Sequence, residues 1–311
     1  MMIYTVTLNP SVDYYMDVPD FTEAETNRAR ETMFIPGGKG INVTKVLESL
    51  GSASLALGFN GGFTGQFIAD TLSSENVRHD FVQVAGETRV NVKLKTDVET
   101  EINGTALAIA EEDMNKLIGK LNEMKKDDWL VLSGSVPESL PTTVYRTITE
   151  TVAKKGIRVV LDTSGDPMKA SLGPDVYLVK PNRRELEWLM DEEIRGREDA
   201  IRLGKNLQKQ GPANVLISLG GDGAILVTAE SVFTAEVPPG KLRQSVGAGD
   251  SMVAGFIHGS QESPDDPQTA FCYAVAAGSA TAYADGLADS DRIHKIMSHV
   301  RIQEWKGDEM T

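Results

Sequence analysis

Cysteine is almost missing from this sequence: Cys272 is the single thiol in 311 residues, so no disulfide can form within the chain and a reducing setting fits. It lies in an alanine-rich helical run and reads as a packing residue, not a nucleophile. Positive charge is also scarce. With 31 Lys and Arg against 45 Asp and Glu, the net charge of −14 argues against a nucleic-acid or anionic-membrane partner. Any phosphate this chain binds needs cations gathered locally. Long hydrophobic runs are absent too, the small-residue stretch Ala270 to Ala284 falling short of the roughly 20 residues that span a bilayer. Near the N-terminus no basic stretch precedes an apolar one, so no export signal is expected and a cytoplasmic location is. The histidines (His79, His258, His294, His299) form no metal-binding pattern. Two nucleotide signatures are missing as well. At the Gly38-Lys39 pair the leading position of a P-loop is Met33 and Gly40 follows the lysine, and no G-x-G-x-x-G follows the first strand.

What is present is a regular alternation. Hydrophobic residues at 41% and charged residues at 24% are ordinary globular usage, and the length suits one large α/β domain with an appendage or two domains. Ile3 to Leu8 reads as a buried strand stopped by Asn9-Pro10. Tyr14 to Val18 and Ala29 to Ile35 are strand-like with no helical stripe, and so are Arg89 to Leu94 and Glu99 to Asn103, spaced as a hairpin. These pieces are expected to form one small sheet, a lid of residues 11–36 and 87–104 on a core of 1–10, 37–86 and 105–311. After Gly104, helices expected near Asp113 to Met124, Leu140 to Lys154 and Arg197 to Gln210 alternate with strands Trp129 to Leu132, Arg158 to Leu161, Val176 to Val179 and Val215 to Leu219. That order predicts a mainly parallel sheet covered on both faces, with ligands beyond the carboxyl ends of the strands. Polar signatures follow those ends: Ser133-Gly134-Ser135, Asp162-Thr163-Ser164, Lys180-Pro181-Asn182 and Ser218-Leu219-Gly220-Gly221-Asp222-Gly223. Four such coincidences point to one crevice.

Gly247-Ala248-Gly249-Asp250, ahead of the apolar run that begins Ser251-Met252-Val253-Ala254, is the stretch with the most chemistry in it. The glycines allow a tight turn with its amides on one side, and a helix starting there adds the positive end of its dipole, which makes an anion cradle. Asp250 at its mouth is either an ordinary N-cap or a base for a hydroxyl that attacks a phosphoryl group.

Asn9-Pro10 with Asp13, Gly37-Gly38-Lys39-Gly40-Ile41-Asn42, Thr88-Arg89-Val90-Asn91, Ser133-Gly134-Ser135-Val136-Pro137, Lys180-Pro181-Asn182-Arg183-Arg184-Glu185, Ser218-Leu219-Gly220 and Gly247-Ala248-Gly249-Asp250 occur in this order. Together they resemble the ribokinase-like carbohydrate kinases of the phosphofructokinase B type over essentially the whole chain. The resemblance implies a three-layer α/β/α core, a β-sheet lid, and an ATP-dependent kinase acting on a phosphorylated ketose. Within the family the pattern is nearest the branch that phosphorylates fructose 1-phosphate, then the branch that phosphorylates tagatose 6-phosphate. It implies Asp250 as base and Gly247, Ala248 and Gly249 with the Asp250 amide as anion hole. Asp13, Gly37, Gly38, Asn42 and Ser135 would meet the sugar, and Arg28, Lys39 and Arg89 its phosphate. Lys180, Asn182, Ser218, Gly220 and Gly223 would line ATP, with Glu185 reaching Mg²⁺ through water. A homodimer through the lid edges is the expected assembly. A non-catalytic sugar-phosphate sensor is the competing class, and it would need neither Asp250 nor the anion hole.

Overall fold

The computed structural model describes residues 1–97 and 99–306. Strand β1 (Ile3–Thr7) ends at Asn9-Pro10, and the chain turns outward into β2 (Ser11–Asp17) and β3 (Glu31–Gly37). It returns as α1 (Lys39–Ser49), β4 (Ser54–Asn60), α2 (Gly62–Ser74) and β5 (Val82–Gln83), then leaves again as β6 (Arg89–Lys95) and β7 (Glu99–Asn103). Helix and strand then alternate through α3 (Glu111–Leu121), β8 (Trp129–Ser133), α4 (Val144–Ala153), β9 (Arg158–Asp162), α5 (Gly165–Ser171) and β10 (Val176–Val179). Helices α6 (Arg183–Met190) and α7 (Arg197–Gln208) lead to β11 (Asn214–Ser218), β12 (Ala224–Val227) and β13 (Val232–Ala235). The chain continues with α8 (Ala248–Glu262), α9 (Pro267–Ala282), α10 (Ser290–Met297) and β14 (Ile302–Glu304).

The large sheet runs β14-β13-β12-β11-β10-β9-β8-β1-β4-β5, with β5 through β11 parallel to their neighbours and the β11 to β14 pairings antiparallel. Its strands are apolar on both sides because helices cover both faces. Leu130, Leu132, Val159 and Leu161 point into one core layer, while Trp129, Val131 and Val160 point into the other with α8 and α9. The smaller sheet has the order β3-β2-β6-β7, β2 pairing parallel with β6, so the two insertions meet in one sheet.

Element boundaries differ from the sequence expectation at β2, β3 and the helix after β8. β2 starts at Ser11, directly after Pro10, instead of at Tyr14, and β3 starts at Glu31 instead of Ala29. The helix expected from Leu140 begins at Val144, since Leu140 and Val144 bond back to Pro137 and Pro141 as turns. β14, three residues long, was too short to carry a periodic signal.

Helix α8 is buried almost throughout its length, and that fixes the Asp250 end of the site. Gly255 and Gly259 let α9 approach so closely that a Cβ at either would sit 2.4 Å from the Tyr273 carbonyl oxygen or 2.8 Å from the Ala270 Cα. Met252, Val253, Phe256 and Ile257 fill the gaps beside that contact, each burial contributing about 1.5–3 kcal/mol.

Candidate active site

The strand ends that carried polar signatures are stitched to one another. The Gly134 amide bonds to Asp162 O at 3.0 Å, Thr163 Oγ1 donates to Gly134 O at 2.8 Å, the Lys180 amide reaches Leu161 O at 3.2 Å and the Ser218 amide reaches Pro181 O at 3.1 Å. Beyond these ends lie α1 and α8, which bring Asn42 to Asp250: Asn42 Nδ2 donates to Asp250 Oδ2 at 2.8 Å. Gly247, in the left-handed region at φ 78°, caps α8 without any side-chain bond, and Asp250 stands in the first turn. The N-cap role that competed for Asp250 therefore falls to Gly247. The Ala248 amide already bonds to Ser245 O at 3.3 Å, so of the expected anion-hole donors it is the one engaged, while Gly249 and Asp250 have the orphan amides of a helix start.

Asp250 is buried, and burial is the first cause that pushes its carboxyl up to about 6. The Asp162 charge adds to this, and Lys39, the Asn42 bond and Lys180 oppose it. Lys39 and Lys180 both bind Asp162 Oδ1, at 3.0 and 3.3 Å. Burial works against the Lys39 ammonium, but the charges of Asp162, Asp250 and Glu185 outweigh it and raise its pKa overall. The Asp162 carboxyl, penalised first by burial, is held below its ordinary value by Lys180 and Lys39. In an acidic chain these two lysines concentrate positive charge around Asp162. Lys180 Nζ would lie 3.0 Å from a Cβ on Gly249, which places that cation against the glycine turn. Asp162 received no role from the sequence, although its strand-end position beside Thr163 and Ser164 was the available signal.

On the smaller sheet Asp13 accepts from Ser11 Oγ at 2.7 Å and from Asn91 Nδ2 at 3.0 Å, both on Oδ1. Asn91 is a second residue to which the sequence assigned no role. Arg89, half-buried, donates from Nε to Pro10 O at 3.4 Å and from a terminal nitrogen to Asn9 O at 3.2 Å. Burial lowers its pKa and Asp13 partly restores it. Ser135 accepts from Asn9 Nδ2 at 3.0 Å. Gly38, at φ 133°, caps α1 against the Thr7 methyl, where a Cβ would come within 2.8 Å. Among the described residues no hydrogen bond or ion pair ties Arg28 to these groups, and it is exposed in the loop between β2 and β3.

A methyl on Gly37 would stand 2.6 Å from Ser11 Oγ and 2.7 Å from Asp13 Cγ. Gly37→Ala is therefore expected to displace Asp13 and raise KM for a sugar phosphate about 10-fold while leaving KM for ATP unmoved. An unchanged sugar KM in steady-state assays would count against Asp13 as a sugar contact.

Towards the other end, Asn182 and Glu185 form a reciprocal cap on α6, the Glu185 amide donating to Asn182 Oδ1 at 2.9 Å and the Asn182 amide to Glu185 Oε2 at 2.8 Å. Ser218 lies next to Asn182 through a parallel bridge, and Arg183 pairs with Asp222 across the same turn. Gly220 faces open space at φ 59°, whereas Gly223 has a packing reason of its own, since a Cβ there would be 2.0 Å from Ala235 O. Among the described residues no cluster of three or more metal-ligating side chains occurs.

The chain belongs to the pfkB family of carbohydrate kinases, whose pattern it matches over residues 6–293. It is an enzyme of the 1-phosphofructokinase-like kind, a sugar-phosphate kinase. It is 45% identical to a 1-phosphofructokinase of Bacillus subtilis, over 97% of this chain and 99% of that one. A D-tagatose-1-phosphate kinase of Bacillus licheniformis is 34% identical over the same shares. Among solved structures, phosphofructokinase-2 of Escherichia coli in complex with substrates and products superposes with a TM-score of 0.90 at 30% identity, covering 96% of this chain and 99% of that chain.

Proposed function

We propose that this kinase transfers the γ-phosphoryl group of ATP to D-fructose 1-phosphate, giving fructose 1,6-bisphosphate and ADP. The observation that carries the chemistry is Asp250: a buried carboxyl raised to about 6, held by Asn42, beside two orphan amides at a helix start. Asp250 takes the proton from the acceptor hydroxyl, and the Gly249 and Asp250 amides donate to the phosphoryl group as its charge redistributes. Lys180, against the same turn, and Lys39, with 36% of its side chain exposed, supply positive charge to the phosphates. Asp13 and Asn91 meet the sugar hydroxyls, Arg89 its phosphate.

ATP comes with a divalent cation in this reading, Mg²⁺. The residues suit one carried by the nucleotide: a hard ion retaining waters asks for one fixed carboxylate, and Glu185 is fixed by its cap, with Asn182 beside it. When bound, the ion neutralises phosphate charge. The smaller sheet acts as a lid over the sugar, residues 11–36 and 87–104 closing to exclude water from the ATP. Its outer strands β3 and β7, with Met33, Phe34 and Ile102 exposed, are the edges through which two copies would pair. No helix among the described residues is long and apolar enough to cross a membrane, and the place of action in this reading is the cytoplasm.

Fructose 1-phosphate is chosen over a tagatose phosphate on the identity to the Bacillus subtilis relative, 45% against 34% for the tagatose 1-phosphate enzyme. ADP release measured side by side with fructose 1-phosphate, fructose 6-phosphate, tagatose 1-phosphate and tagatose 6-phosphate decides it. The expected result is the highest kcat/KM with fructose 1-phosphate. A higher value with any other acceptor overturns the substrate and leaves phosphoryl transfer standing.

A further inference from the structure

Asp162 is fully buried at the end of β9 and carries two cations on one oxygen, Lys39 at 3.0 Å and Lys180 at 3.3 Å. Both lysines belong to the surroundings of Asp250 as well. Lys39 shares α1 with Asn42, which bonds to Asp250, and Lys180 Nζ lies against Gly249, the residue before it. Yet Asp250 makes no ion pair among the described residues, and its bond comes from the neutral Asn42 amide. A flexible ammonium beside a buried carboxylate ordinarily pairs with it. Here a second carboxylate has taken both.

We propose that Asp162 is a positioning residue that sequesters Lys39 and Lys180, keeping both ammonium groups off Asp250 so that the base stays unpaired and able to accept the substrate's proton. This rests on Asp250 being the base. Asp162 uses a single oxygen for both lysines, and among the described residues its Oδ2 has no hydrogen-bond partner. The charged groups around Asp250 are Asp162 at the end of β9, Lys39 on α1 and Lys180 after β10, and Glu185 on α6 acts on Lys39. Without the Asp162 charge, the repulsion that raises Asp250 is gone and the two released cations turn toward it. Both changes favour the ionised form, so the pH below which Asp250 is protonated falls.

The test is the pH dependence of kcat/KM, which reports the free enzyme's groups, in wild type, Asp162→Asn and Asp162→Glu. The acid limb of Asp162→Asn is expected to move down by about 1 pH unit or more. Its plateau is expected to drop about 3- to 10-fold, because a paired base is a weaker base. Asp162→Glu, which keeps the charge, should keep the wild-type limb. A folded Asp162→Asn enzyme with its acid limb at the wild-type pH overturns the proposal, because a purely structural role would lower activity without moving the limb. Should that variant fail to fold, Asp162→Asn with Lys180→Met removes one stranded cation together with the carboxylate. Its limb should still lie below that of wild type through Lys39, and a wild-type limb overturns the proposal there too. Full turnover in Asp250→Asn would instead remove the base assignment on which the inference stands.

Discussion

Asp250→Asn is expected to lower kcat by on the order of 10²–10⁴ while KM for both substrates changes little. Asparagine keeps the shape and can still accept the Asn42 bond, so binding survives, but it cannot take a proton. The same variant should be more stable than wild type at neutral pH. Asp250 has its pKa raised in the folded protein from an ordinary 3.8 to about 6, so between these values the native state holds a proton that the unfolded chain has lost. Stability therefore falls as pH rises through that window, and the cost is fully present above about 6. Asparagine removes it, a gain on the order of 1–3 kcal/mol. A variant that is slow and equally or more resistant to urea separates lost chemistry from lost folding. Turnover near wild type would remove Asp250 as the base.

Arg89→Met is expected to raise KM for fructose 1-phosphate about 10- to 100-fold, the range for losing a charge-assisted contact to phosphate. KM for ATP should stay within about 2-fold, since the lost contact is on the sugar side. Arg89 also braces the Asn9 and Pro10 carbonyls, so some loss through misplacement of the β1 to β2 turn is built in. Unphosphorylated fructose as acceptor separates the two effects. A loss confined to the phosphorylated sugar assigns Arg89 to the phosphate, whereas an equal loss with both sugars assigns it to bracing alone. The methionine variant is preferred to lysine because a lysine could still reach the phosphate as a point charge.

Local chemistry made much of this legible in the sequence. Glycine-rich turns and strand-end polar residues marked where the crevice forms, and alternation of strand and helix was enough for a mainly parallel sheet with both faces covered. The Asn182 and Glu185 spacing could be read as a helix start, and a cap is what forms. Asp162 could not be read in the same way. Its place beside Thr163 and Ser164 marked the crevice, but its partners stand 123 residues before it and 18 after it in the chain, so its hold on both lysines had no local signal. The pairing of Asn91 with Asp13 was hidden for the same reason, because it depends on β2 and β6 lying parallel in one register, which only the assembled sheet sets. Arg28 is the reverse case: a cation on the expected insertion, which the loop between β2 and β3 leaves exposed.

The most direct test is a crystal structure of the enzyme with a non-hydrolysable ATP analogue and fructose 1-phosphate together. The account requires the acceptor hydroxyl within about 2.6–3.2 Å of an Asp250 carboxylate oxygen, with the γ-phosphoryl group facing the Gly249 and Asp250 amides. An acceptor hydroxyl out of reach of Asp250 in a closed complex, with the phosphoryl group away from that helix start, would contradict it.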